Sequence, residues 1–184
     1  MIKDVLKSQL TVMGLITLIG FPLLAWPLLY FQNISWRSLF EIAPEDYFQI
    51  PLYLSIGIGF GIWMIWLSEK PYFEKGLGPI KDRFTDLNLT TFHVFFLAIA
   101  AGVGEEVFFR GAIQPYEGVW STAIIFVAIH GYFSFQYRTI NLLAIFLTAF
   151  IVLIGFAAKN ESLWLAVAAH FSYDLVLLFY YKNN

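Results

Sequence analysis

Apolar residues run together along this chain at about 10–31, 50–67, 90–114, 119–136, 140–158 and 162–181, and polar breaks separate the runs. Each run is close to the roughly 20 residues with which a helix crosses the hydrocarbon of a bilayer. The pattern therefore predicts an all-α membrane protein, a bundle of about six transmembrane helices. The break "QNISWRSLFEIAPEDYFQ", residues 32–49, is polar and acidic, and "SEKPYFEKGLGPIKDRFTDLN", residues 68–88, is a long charged loop read as a solvated connector. Gly57 and Gly61 in "GIGFG" have the spacing that lets two membrane helices approach closely.

Composition sharpens the class. Hydrophobic residues make up 59% of the 184 and charged ones only 13%, whereas soluble domains carry about a quarter charged residues. The whole chain, 1–184, is expected to form one integral membrane domain, and the first run is read as a retained span because no small-residue cleavage site follows it. A formal charge of −2 without a basic run argues against nucleic acid as a partner; the lipid bilayer is the expected surroundings. With no cysteine, disulfides and Cys-ligated metals are excluded. Lys3, Lys7, Lys70, Lys75, Lys81, Arg83, Arg138 and Lys182 fall on one side of a six-span arrangement, leaving Arg37, Lys159 and Arg110 elsewhere. The positive-inside rule then places both termini in the cytoplasm.

Polar residues interrupt the apolar runs at a few places: Glu105, Glu106 and Arg110 in the third, His130 in the fourth, and His170 with Asp174 in the sixth. Ionisable groups at membrane depth are costly and default to a functional reading. Helical residues four apart share a face, so Glu106 pairs with Arg110 and Glu105 points elsewhere, along the stripe of Phe109. The same interval links His170 to Asp174 and Phe126 to His130. One free carboxylate and two imidazoles from three helices suit hydrolysis: a desolvated Glu takes a proton from water, and a histidine donates to the oxyanion that forms. Two histidines and a glutamate are also a zinc ligand set, although no H-E-x-x-H occurs. His93, beside the polar loop, is read as interfacial. The abundant Phe, Tyr and Trp are assigned to core packing and interface belts.

"EEVFFRG" at 105–111, "FVAIH" at 126–130 and "SLWLAVAAHFSYD" at 162–174 resemble the E-E-x-x-x-R, F-x-x-x-H and H-x-x-x-N/D motifs of the CPBP family, the CAAX prenyl proteases and bacteriocin-processing or bacteriocin-immunity (Abi) enzymes. The resemblance spans residues 90–181 and implies a catalytic core buried in the membrane, in a cavity open to one side. It implies a glutamate-dependent intramembrane endopeptidase without a metal or cofactor, zinc having once been proposed for the family. Carried over, Glu105 activates water with His130, His170 and Asp174 serve the oxyanion side, and Glu106, Arg110 and Phe126 support the site. Asp174 departs from the frequent Asn, and an ionised Asp accepts but does not donate. The implied substrate is a peptide or membrane-associated protein, and the short chain resembles bacterial members, hence the bacterial cytoplasmic membrane. Two other readings compete: an immunity or partner-binding protein that keeps the motifs for assembly, and a proton-coupled transporter, which the lack of an evident inverted repeat opposes.

Overall fold

A computed structural model describes residues 2–44, 46–73, 76–77, 81 and 89–183, the side chains of 2–7 excepted. Among these residues, five helices are long and apolar enough to cross a membrane: α1 Ser8–Phe31, α2 Asp46–Ser68, α3 Thr91–Ile129, α4 Arg138–Asn160 and α5 Leu163–Asn183. The chain is an integral membrane protein by this architecture. The expected orientation rests partly on Lys75 and Arg83, which lie outside the described residues, as do the side chains of Lys3 and Lys7.

The expectation of six spans departs from this structure between residues 114 and 136. The third and fourth apolar runs belong to a single 39-residue element. The break between them is present as a turn at Gly118, whose φ of 80° and ψ of 166° are open to glycine and strained for other residues. After the turn only residues 119–129 are helical, about 16 Å of rise, roughly half the hydrocarbon thickness. The fourth run was also expected to continue to 136. It stops because Gly131 takes a φ of 75° and Asn141 binds the backbone N–H and C=O of Ser134, holding "GYFSFQY" as a non-helical loop.

The helices end at two common levels. Leu10 of α1, Leu89 and Val94 at the start of α3, and Leu175, Leu178 and Phe179 of α5 pack together, so both ends of the described chain lie at one end of the bundle. There the Tyr180 hydroxyl donates to Glu69 at 2.6 Å, and Lys81 pairs with the same carboxylate. Lys81, and then Tyr180, holds the Glu69 carboxyl below its ordinary pKa. The opposite, distal end carries the 32–49 connector, the Gly118 turn and the α4–α5 junction. Its connector is tied down by Trp164 Nε1 donating to Phe40 O at 3.1 Å and Gln32 Nε2 donating to Ala112 O at 2.9 Å.

α5 sits in the middle and α2 crosses it at close range. A methyl group at Gly57 would meet the Ala169 carbonyl and the Ser172 hydroxyl, and one at Gly61 would touch Val176. This is small-residue packing, in which van der Waals contact replaces the hydrophobic drive that lipid does not supply. Gly102 and Gly104 play the same part in α3, with Gly102 against Phe171 of α5 and Gly104 against the Thr17 carbonyl of α1. Regular helical bonding is lost around that approach. Ile16–Gly20 in α1 and Ala100–Glu105 and Val107–Ile113 in α3 are π-helical.

Gly57→Ala is expected to lower stability by about 1–3 kcal/mol, the usual cost of overpacking. Gly59→Ala, where an added methyl meets nothing within 4 Å, is expected to leave it nearly unchanged. Thermal unfolding of both variants in detergent compares them, and equal melting temperatures would remove the claim that Gly57 sets the α2–α5 distance.

Candidate active site

The polar residues that interrupt the apolar runs converge. α3 supplies Glu105, Glu106 and Arg110 from its π-helical stretch, the short segment after Gly118 ends at His130, and α5 supplies His170 and Asp174. His130 lies about 16 Å from the Gly118 turn and His170 about 10 Å from the start of α5, so both sit at mid-bundle depth.

Glu106 is the hub. Its side chain is inaccessible to solvent; Oε1 lies 2.7 Å from His170 Nδ1 and Oε2 lies 3.1 Å from Arg110 Nε. The predicted pairing of Glu106 with Arg110 is present, and the contact with His170 adds a link that helical spacing alone does not reveal. The guanidinium and carboxylate form an ion pair without good hydrogen-bond geometry, since Glu106 Oε2 and both Arg110 Nη atoms lack hydrogen-bond partners among the described protein groups.

Glu105 faces the two imidazoles. Its Oε2 lies 3.4 Å from His130 Nε2 and 4.0 Å from His170 Nε2, and Asp174 Oδ2 lies 3.5 Å from the same His170 nitrogen. The separations are longer than good hydrogen bonds, and the groups lie close enough together for one water on the cavity side to touch two of them. His130 Nδ1 lies 2.7 Å from the Phe126 carbonyl, which sets the ring orientation and turns Nε2 toward Glu105. Phe126 is the packing piece of the site. Its ring stacks on His130 at 4.2 Å, meets His170 edge-on at 5.7 Å and lies 4.8 Å from the Arg110 guanidinium carbon.

Glu105, His130, His170 and Asp174 line one cavity of about 130 Å³, walled by Phe126, Tyr132, Leu147, Ile151 and Tyr173. Tyr132 and Tyr173 belong to the packed core, as expected of the aromatic residues, and also face the cavity. Tyr173 lies three residues after His170, on the same helical face, and that spacing is the signal for it; Tyr132 follows His130 into the loop and carries none. His93 stands apart. It is buried, its Nδ1 lies 2.7 Å from Thr90 Oγ1, and it closes a capping box at the start of α3. Among the described residues, no three His, Asp or Glu side chains are arranged to hold a metal ion.

Removing the Glu106 charge leaves Arg110, itself 4% exposed, without its counter-ion. Glu106→Gln is therefore expected to lose about 3–5 kcal/mol of stability, and the double variant with Arg110→Met to regain part of it. Glu105→Gln, facing the cavity, is expected to change stability much less. Thermal unfolding of the three proteins is the measurement; a Glu106→Gln protein as stable as Glu105→Gln would show that the ion pair is not structural.

Residues 87–176, which include every side chain of the cluster, match the family described as type II CAAX prenyl endopeptidase Rce1-like. A relative is the uncharacterized protein YpbD of Bacillus subtilis (strain 168), 32% identical over 114 residues. That alignment covers 61% of this chain and 56% of YpbD, so the chain matches little more than half of that relative's length. No solved structure matches the chain. The similarity to the Rce1-like family thus lies in residues 87–176, just under half of the chain, and takes in the whole polar cluster.

Proposed function

We propose that this protein is an intramembrane endopeptidase in which Glu105 activates water against a peptide bond, with residues 90–181 as the catalytic core. The observation that carries the reading is the meeting of Glu105 with His130 and His170, within 3.4 and 4.0 Å, on a cavity at mid-bundle depth. The substrate is a peptide or a membrane-associated protein segment. The end holding Lys70, Lys81, Arg138 and Lys182 faces the cytoplasm, as the positive-inside rule asks.

In this mechanism a water bound by Glu105 and His130 gives its proton to the Glu105 carboxylate as its oxygen attacks the carbonyl carbon. His170 carries a proton on each ring nitrogen. One is held by Glu106 through Nδ1; the other, on Nε2, is offered to the oxyanion of the tetrahedral intermediate. Asp174, 3.5 Å from Nε2, orients that imidazole rather than donating itself. Glu105 then returns its proton to the leaving nitrogen, the C–N bond breaks, and a carboxylic acid, which keeps the other proton of the water, and an amine leave. Every group in the cycle ends as it began, and no metal takes part.

Glu105→Gln keeps the shape of the side chain and removes the base. Its cleavage rate is expected to fall on the order of 10²- to 10⁴-fold, the range for a general base. Membrane proteomes of cells carrying the wild-type and Glu105→Gln proteins supply the substrate: a fragment lost only in the variant names it, and undiminished cleavage of that substrate would overturn the mechanism. Elemental analysis of active protein is expected to find no stoichiometric zinc; zinc lost in step with activity under a chelator would require a metal-based mechanism instead.

A further inference from the structure

The Glu105 cavity uses one side of the Glu106–Arg110 pair. A second cavity, of about 430 Å³, reaches Arg110 and Gln114 from the distal end, with Glu41, Lys159 and Glu161 among the residues that line it. Within the protein, Arg110 Nη1 and Nη2 and Glu106 Oε2 are buried atoms without hydrogen-bond partners. Buried polar atoms left so are expensive, and the usual resolution is a bound molecule or water.

Charge decides which. Glu106 already neutralises Arg110, and Lys159 shares the cavity with Glu41 and Glu161, so the lining offers no net positive charge to hold an anion. Water both donates and accepts, which suits a carboxylate oxygen beside two guanidinium nitrogens. The space far exceeds the ~15 Å³ that one water needs. The backbone agrees: Gly118, with its non-helical φ and ψ, also lines this cavity, and a methyl group there would meet nothing within 4 Å. A non-helical turn takes backbone groups out of the helical bonding pattern, and bordering water satisfies them.

We infer that the distal cavity is a water-filled vestibule that hydrates the Glu106–Arg110 pair from the end of the bundle opposite the chain termini. The pair is then a partition between two hydrated spaces, one holding Glu105 and the other open distally. The inference is independent of the peptidase reading, because it concerns water access and is measured without substrate.

The natural sequence has no cysteine, so single-cysteine variants give a clean background. Ala158 lines the vestibule, and Phe156, two residues earlier on α4, is 39% exposed on the bundle's outer surface. A thiol reacts as thiolate and so reports water. A charged, membrane-impermeant thiosulfonate reagent is expected to modify Ala158→Cys at least about tenfold faster than Phe156→Cys. It should do so only from the membrane side opposite the one that labels Gln136→Cys, whose exposed position is in the 131–137 loop. Slow labelling of Ala158→Cys, equal rates at 156 and 158, or labelling from the Gln136 side would each overturn the vestibule. Monodisperse elution of each variant shows that the bundle is intact.

Discussion

A carboxylate removed from solvent, Glu106, holds two cationic or proton-bearing partners at once: Arg110 on its own helix and His170 on the central one. Burying such a group costs several kcal/mol before any attraction is counted, and apolar packing of the same volume is often as stable. The ion pair is therefore poorly explained as a source of stability alone. What it supplies is placement. It fixes the His170 ring through Nδ1, and so presents Nε2 to Glu105 and Asp174 across the cavity.

That placement depends on an irregular helix. In a regular α-helix adjacent side chains diverge by about 100°, which sends Glu105 and Glu106 to different neighbours. Here both belong to a stretch bonded largely i→i+5, which puts more residues in each turn and lessens the divergence. Two successive carboxylates thus reach opposite nitrogens of one imidazole. Gly102 and Gly104 permit the same stretch to lie against the backbones of α5 and α1, so the widened helix is held on two sides.

The helical bundle was legible in the apolar runs, and four of the six correspond to observed spans within a few residues. The break between 114 and 119 was legible too, but its consequence was not. A run of apolar residues reads as a span whether or not its neighbour turns back after eleven residues, and "GYFSFQY" is apolar enough to hide a loop. At the site, pairs four apart on one helix could be read directly, as Glu106–Arg110, His170–Asp174 and Phe126–His130 were. The Glu106–His170 contact joins residues 64 apart in sequence, and helical periodicity holds no information about it. Tyr132 and Tyr173 went unnoticed for a related reason: in a chain with 10 tyrosines and 20 phenylalanines, an aromatic residue beside a motif carries little signal.

The turn at Gly118 also divides the site by exposure. His170 comes from a continuous helix packed on three neighbours, and its side chain is 5% exposed. His130 caps a half-length segment that leads into a non-helical loop, and its side chain is 32% exposed. Of the two distances from Glu105, the one to His170 runs between two membrane-length helices, while the one to His130 runs to the end of the half-length segment that follows Gly118. Phe126, stacked on His130 at 4.2 Å and 4.8 Å from the Arg110 guanidinium carbon, ties that segment to the buried charges, so a shift of the His130 ring is passed on to the Arg110 side of the site.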